Sequence, residues 1–254
     1  LAASRQPGGS VVVVDAATDD DLETIASAAG QVEGGSVLLV GSAGLARPLA
    51  RRLAGEGRGQ VGAGGAPRPS VLVAVGSVNP VSREQLRRLA ERQESELVQI
   101  DVAAALRGGP AWQESLAESQ ARLRAALERG RTALLTTPAE PGEVEAARTA
   151  GEGQGMSAAE VARRVAGALA EAAAAALEQG SLSGVVVTGG DTARALLDVL
   201  GADGIDLVSE VLPGIPLGTV HGGRRPGLRI VTKAGGFGGP EALVQAVGYL
   251  TGLP

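Results

Sequence analysis

The stretch Val185–Ala195 reads VVVTGGDTARA. Three valines and a threonine suit a buried strand, because β-branched side chains pack well on a pleated surface. Two glycines interrupt the run, and Asp191 and Thr192 lead into residues that favour helix. The order is therefore strand, glycine turn, helix N-terminus, where unpaired N–H groups attract anions. The lysine of a P-loop and the third glycine of a dinucleotide fingerprint are both missing. Two readings of the turn fit. In one, Gly189 and Gly190 let the backbone approach an anion, Thr192 Oγ1 donates to it, and Asp191 holds Mg²⁺ or a water. In the other, the glycines only make the turn and Asp191 is the helix N-cap.

Similar units precede this one. Val71–Val75, 96–101 and 132–136 read as strands. Asn79-Pro80 is a cap followed by a proline, a helix start. Residues 111–129 have helical spacing, and 158–179 form a long helix with five consecutive alanines that favour close packing. Residues 138–155 read as a loop of mixed charge. Downstream, Val211–Val220 and Leu228–Lys233 flank HGGRRPG and read as a hairpin, with Pro213 and Pro216 marking the first strand as an edge or an irregular segment. A terminal helix spans 241–250. The fold class is α/β: a mostly parallel sheet flanked by helices, with a C-terminal hairpin that makes it mixed.

The N-terminal residues form a smaller series. Residues 1–10 read as a loop, Val11–Val14 and 36–40 as strands, and the segments after Thr18 and Gly41 as helices. Thr18 is the cap, with Asp19, Asp20 and Asp21 at the positive end of the helix dipole. This gives β-α-β-α over residues 1–55. Residues 56–70, rich in Gly and holding Pro67 and Pro69, read as a linker to a second domain over 71–254.

Composition narrows the functions. The 254 residues are 44% hydrophobic and 20% charged, which allows both a core and a wet surface. A net charge of −5 and only one each of Trp, Tyr and Phe argue against nucleic acid as a partner. The absence of Cys excludes disulfides and thiolate metal sites. No apolar run is long enough for a bilayer and no signal peptide precedes the first strand, so the expected location is the cytoplasm, without a membrane partner.

Three glycine turns fall at strand ends: Gly76-Ser77, Gly189-Gly190-Asp191-Thr192, and Gly235-Gly236-Phe237-Gly238. Ligands of open α/β sheets bind outside the carboxyl ends of strands. Lys233 beside the third turn reads on its own as an exposed lysine, although it could neutralise phosphate charge. His221, the only histidine, reads as a solvated hairpin residue. Ser42 in VGSAG lacks the spacing of a nucleophile elbow.

Taken together and in this order, VVVTGGDTARA, VLPGIPLGTV and LRIVTKAGGFGGPEAL resemble the C-terminal nucleotide-binding domain of the four-carbon acid sugar kinases. VLVAVGSVNPVSREQL resembles that domain's opening strand. VVVVDAATDDDLETIA and LLVGSAGLARPLARRL resemble the end of the family's N-terminal, substrate-binding domain. The resemblance implies ATP-dependent phosphorylation of a hydroxyl on a four-carbon sugar acid such as threonate or erythronate. It implies ATP contacts at Ser77, Gly189, Gly190, Asp191, Thr192, Gly235 and Gly236, and phosphate or Mg²⁺ contact at Asp191 and Lys233. Gly41, Ser42 and Gly44 would touch substrate or act as a hinge. The family's Asp-Asp-x-Thr-Gly motif does not occur here. The catalytic residue is therefore expected outside this chain, and the chain to be a piece of a kinase. Its partners would be a small sugar acid, and an N-terminal half or a second copy of itself. The alternative is a non-catalytic nucleotide-binding or regulatory module.

Overall fold

Strand-forming residues become strands only where a neighbour completes their hydrogen bonds. The structure, a computed structural model, describes residues 11–32, 37–54, 70–92, 94–138, 140–179 and 182–252. They fall into two compact units, 1–60 and 61–254. The stretch read as a linker lies, apart from Ser70, outside the described residues.

The first unit contains α1 (Asp19–Ala29) and α2 (Ala43–Ala54). Thr18 caps α1 as expected: its Oγ1 accepts from Asp21 N at 3.2 Å, and Asp21 Oδ2 accepts from Thr18 N at 2.9 Å. The hydrogen bond from Thr18 also holds the Asp21 carboxyl below its ordinary range. Arg51 on α2 pairs with Glu23 on α1 at 2.7 Å. Val11–Val14 and residues 37–40, expected as strands, are neither paired nor covered; Val11 is 94% exposed. Among the described residues this unit offers them no strand to pair with.

The second unit runs β1 (Val71–Val75), α3 (Pro80–Arg92), β2 (Ser95–Gln99), α4 (Val102–Arg107), α5 (Gly109–Glu128) and β3 (Thr132–Thr136). It continues through α6 (Pro141–Glu152), α7 (Ala158–Gln179), β4 (Gly184–Thr188) and α8 (Gly190–Leu200). It closes with β5 (Ala202–Leu212), β6 (Ile215–Gly222), β7 (Arg229–Lys233) and α9 (Ala242–Thr251). The described strands form one sheet in the order β2-β3-β1-β4-β7-β6-β5. β2, β3, β1, β4 and β7 are parallel, and β6 runs antiparallel to both β7 and β5. The sheet is therefore mixed, as expected.

Both faces are covered, and residues two apart share a face. Leu72, Ala74, Val185 and Val187 pack beneath α5, α7 and α8 through Leu123, Leu169 and Leu196. Val71, Val73, Val75 and Val186 pack against α3 and α9 through Leu89, Leu243 and Val247. This explains the unbroken apolar runs of β1 and β4, which are buried on both sides.

Three expectations are corrected. Residues 138–155 contain α6 rather than only a loop. Pro141 opens it, Glu140 and Glu143 form a capping box, and Arg148 bridges Glu145 and Glu152 one turn either way. The strand expected over 96–101 ends at Gln99, because Asp101 turns to cap α4, accepting from Ala104 N at 2.8 Å. The single strand expected over 211–220 is cut by a turn at Pro213-Gly214. β5 takes the sheet edge, and β6, though it contains Pro216, is internal. Pro216 faces Glu210 at a register irregularity, where a missing N–H is tolerated.

Candidate functional site

The chain leaves β1 and β4 in opposite directions. After β1 it crosses over α3 toward β2, and after β4 it crosses over α8 toward β5. β1 and β4 are neighbours, so the sheet has its switch point between them. There the two helices lie on opposite faces and leave a crevice at the strands' carboxyl ends. The three glycine turns read from the sequence follow β1, β4 and β7, which are adjacent and parallel. The ladder runs into the turns: Gly76 N donates to Thr188 O at 3.2 Å, and Gly189 N donates to Lys233 O at 3.0 Å.

The close spacing explains two of the glycines. A Cβ on Gly76 would stand 1.9 Å from Thr192 Oγ1, so no other residue fits without displacing that hydroxyl. Gly189 has φ +104°, a conformation that L side chains rarely adopt. Gly189 is the N-cap of α8 and supplies no side-chain cap, so Asp191 is not the N-cap of the second reading. It lies in the first helical turn, exposed, while Thr192 is buried beside it. The first N–H groups of α8 thus open toward the crevice without a side-chain acceptor.

A cavity of about 490 Å³ occupies this crevice. Ser77 and Gly189 to Thr192 line it at the glycine turns, and Val144, Val161 and Val165 of α6 and α7 line it opposite, together with Glu143 and Arg148 of α6. A larger hollow of about 720 Å³ lies between α4, α5 and α6 but meets none of the glycine turns. Gly235 and Gly236 do not line the smaller cavity. They abut the β1–α3 turn instead: a Cβ on Gly235 would sit 2.3 Å from Ser77 Oγ, and one on Gly236 3.5 Å from Asn79 Nδ2.

Lys233 departs from its reading as an exposed lysine. It is 3% exposed, and its Nζ donates to the carbonyls of Ala234, Gly235 and Phe237 at 2.9, 3.1 and 3.0 Å. Burial pushes its ammonium down to about 8. Helix α3 adds residues that the sequence reading missed. Ser82 Oγ donates to Gly235 O at 2.7 Å, and Gln85 Nε2 reaches the carbonyls of Phe237, Gly238 and Gly239. Arg83 donates to Thr136 Oγ1 and to Thr137 O and Oγ1, fixing the end of β3, and burial lowers its pKa against the pull of Glu143. The signal was present in outline: Ser82, Gln85 and Leu89 recur at helical spacing on one buried stripe.

Gly41 and Ser42 precede α2 in the first unit, and Gly44 lies in its first turn. Gly44 lies close against Leu22, where a Cβ would stand 3.2 Å from Leu22 Cδ1. His221 is exposed on β6 and pairs with Asp206 at 3.0 Å, which raises its pKa.

Fold and crevice together define an open, mixed α/β domain with a crevice at its topological switch point. A family model described as a nucleotide-binding C-terminal domain matches residues 72–243, and one described as a sugar-binding N-terminal domain matches residues 1–49. A D-threonate kinase of Bordetella bronchiseptica is 40% identical over 93% of this chain and 51% of its own length. A D-threonate kinase of Salmonella typhimurium is 34% identical over 98% of this chain and 56% of its own. A D-erythronate kinase of Heliobacterium modesticaldum is 30% identical over a similar span. A crystal structure from Bordetella bronchiseptica, described as a citrate-bound, domain-swapped dimer, matches at 35% identity with a TM-score of 0.60, over 94% of this chain and 53% of that one. This chain belongs to the four-carbon acid sugar kinase family. It spans about half the length of the curated relatives it matches.

Proposed function

We propose that this chain supplies the ATP site of a kinase that phosphorylates a hydroxyl on a four-carbon sugar acid of the threonate or erythronate type. The switch-point crevice carries the reading. Its α6–α7 wall is largely aliphatic, with Glu143 and Arg148 also on it, and backbone and hydroxyl groups line it at the glycine turns, which suits a ligand with an apolar ring and an anionic end. A heterocycle suits the valines, and phosphates suit the uncapped start of α8.

In this reading Ser77, Gly189, Gly190 and Thr192 hold the phosphates, with Gly235 and Gly236 on the other side of Ser77. Asp191 is the carboxylate placed to meet Mg²⁺ arriving with ATP. Phosphoryl transfer depends on positioning and charge stabilisation rather than covalent chemistry by the protein, and backbone amides supply both. The hydroxyl oxygen bonds to the γ-phosphorus, ADP leaves, and the hydroxyl proton passes to a base in the sugar-binding part. Residues 1–55 are then the end of that part, 56–70 the connection, and 71–254 the nucleotide domain. Relatives named as D-threonate and D-erythronate kinases support the substrate class.

Calorimetry with ATP and Mg²⁺, followed by an ADP-release assay with threonate and erythronate, tests the reading. Binding with micromolar to millimolar affinity is expected, and absence of heat at millimolar ATP overturns the site. The chain's span of about half of its relatives favours one second reading, a nucleotide-binding module without catalysis. Binding without turnover, unchanged when a sugar-binding half is added, selects that module; turnover on addition selects a divided kinase. Light scattering in the same experiments reports whether the chain forms a homo-oligomer.

A further inference from the structure

Lys233 is the only lysine in the sequence; every other cation among the 23 Lys and Arg residues is arginine. It is also a buried cation at the end of a strand facing the proposed site. Its partners explain why an ammonium stands there. Three carbonyl oxygens, those of Ala234, Gly235 and Phe237, surround Nζ at 2.9–3.1 Å. An ammonium has three N–H bonds arranged as a tripod and satisfies all three acceptors. A guanidinium is a flat fork and cannot.

Two side chains of α3 extend this clamp. Ser82 donates to Gly235 O, and Gln85 shares the two N–H bonds of its Nε2 among the carbonyls of Phe237, Gly238 and Gly239. Five carbonyls between Ala234 and Gly239 are therefore turned into the protein. No described residue accepts a hydrogen bond from the amides of Gly235, Gly236 or Gly238. A short glycine loop whose carbonyls are held inward presents its amides outward, the arrangement of an anion-binding nest. Gly235 lies directly against Ser77, which ties this loop to the glycine-turn side of the cavity.

We infer that Lys233 is a positioning residue: with Ser82 and Gln85 it locks the Ala234–Gly239 loop with its amides facing the phosphates, without touching the nucleotide itself. The inference rests on the ATP-site reading above, and it differs from the sequence expectation of a direct phosphate contact. A neutral amine keeps only two N–H bonds for three carbonyls, so the lock weakens when Lys233 loses its proton. The groups around it do not compete for that charge. On α3, Arg83 is turned to Thr136 and Thr137, and Glu84 is paired with Arg87 and Arg88. Before α9, Glu241 is paired with Arg88 and Arg92.

The test combines nucleotide affinity with hydrogen exchange of the 235–239 amides in the full chain. Lys233→Met is expected to speed exchange in this loop, leave β1 and α7 unchanged, and weaken MgATP binding by about ten- to a hundredfold. Lys233→Arg should not rescue it. Lys233→Cys aminoethylated in denaturant and refolded restores the ammonium and should restore both readouts; the sequence has no other cysteine to react. A single lysine also gives a single Nζ resonance in ¹⁵N-lysine protein, expected to titrate near 8. ATP affinity then falls as pH rises through about 8 in the wild type and stays flat in Lys233→Met. Stability moves the other way. The folded-state pKa lies below the ordinary lysine value of 10.5, so the unfolded chain holds the proton longer and stability rises between about 8 and 10.5.

Wild-type affinity, or unchanged loop exchange, in Lys233→Met overturns the inference. Should Lys233→Met fail to fold, Ser82→Ala and Gln85→Leu each remove one clamp, and unaltered loop exchange in both overturns it equally. A wild-type chain that binds no nucleotide removes the ATP-site reading, and the positioning role falls with it. A wild type that binds, beside a Lys233→Met that binds equally, removes the positioning role alone.

Discussion

Val11–Val14 and Val71–Val75 are almost interchangeable as text, VVVV and VLVAV, and have opposite fates. The second is a central strand with every residue buried, Val71 at 0% exposure, paired with β3 on one side and β4 on the other. The first is unpaired and largely exposed. Branched side chains prefer an extended backbone, but a ladder neighbour and two covering helices are what turn that preference into a strand. The second unit provides both. The first shows only α1 and α2 among its described residues.

The largest expected effect is a direct test of this contrast. Leu72→Ala, in β1, should lower unfolding free energy by about 2–5 kcal/mol, while Val13→Ala should stay within about 0.5 kcal/mol. Denaturant titration of both variants measures it, and equal losses would show that the first valine run is packed in solution. A smaller effect separates stability from binding inside the second unit. Nothing lies within 4 Å of a Cβ placed on Gly190, so Gly190→Val should keep its melting temperature while its side chain blocks the proposed phosphate position. A loss of ATP affinity of about tenfold or more is expected by calorimetry; unchanged affinity would move the phosphates elsewhere. The smallest effect returns to the first unit. Thr18→Ala removes the cap of α1 and should cost that helix about 1 kcal/mol, read as faster amide exchange over residues 19–29 with no change in β1.

Much of the second unit was legible because its signals are local. β1, β3 and α7 fall where the valine, threonine and alanine runs place them, and the three glycine turns sit at strand ends as read. α6 was not legible from apolar periodicity because its stability comes from charge, with Arg148 between two glutamates and Glu143 closing the cap. β5 was missed because it is an edge strand with three register irregularities, which blur the alternation of its side chains. The clamp on the 234–239 loop was missed for another reason. Ser82 and Gln85 lie about 150 positions away in sequence, and a lysine beside glycines reads as surface until its partners are known.

By itself the sequence determined the α/β class, the order of the turns and the family, because strand composition, caps and glycine spacing are properties of neighbouring residues. Tertiary structure decided which strands stand side by side, and therefore that Gly76, Gly189 and Gly235 meet at one edge. It also decided that Val11–Val14 stays bare and that Lys233 is enclosed. Those outcomes depend on partners distant in the chain, and no local preference encodes whether a partner arrives.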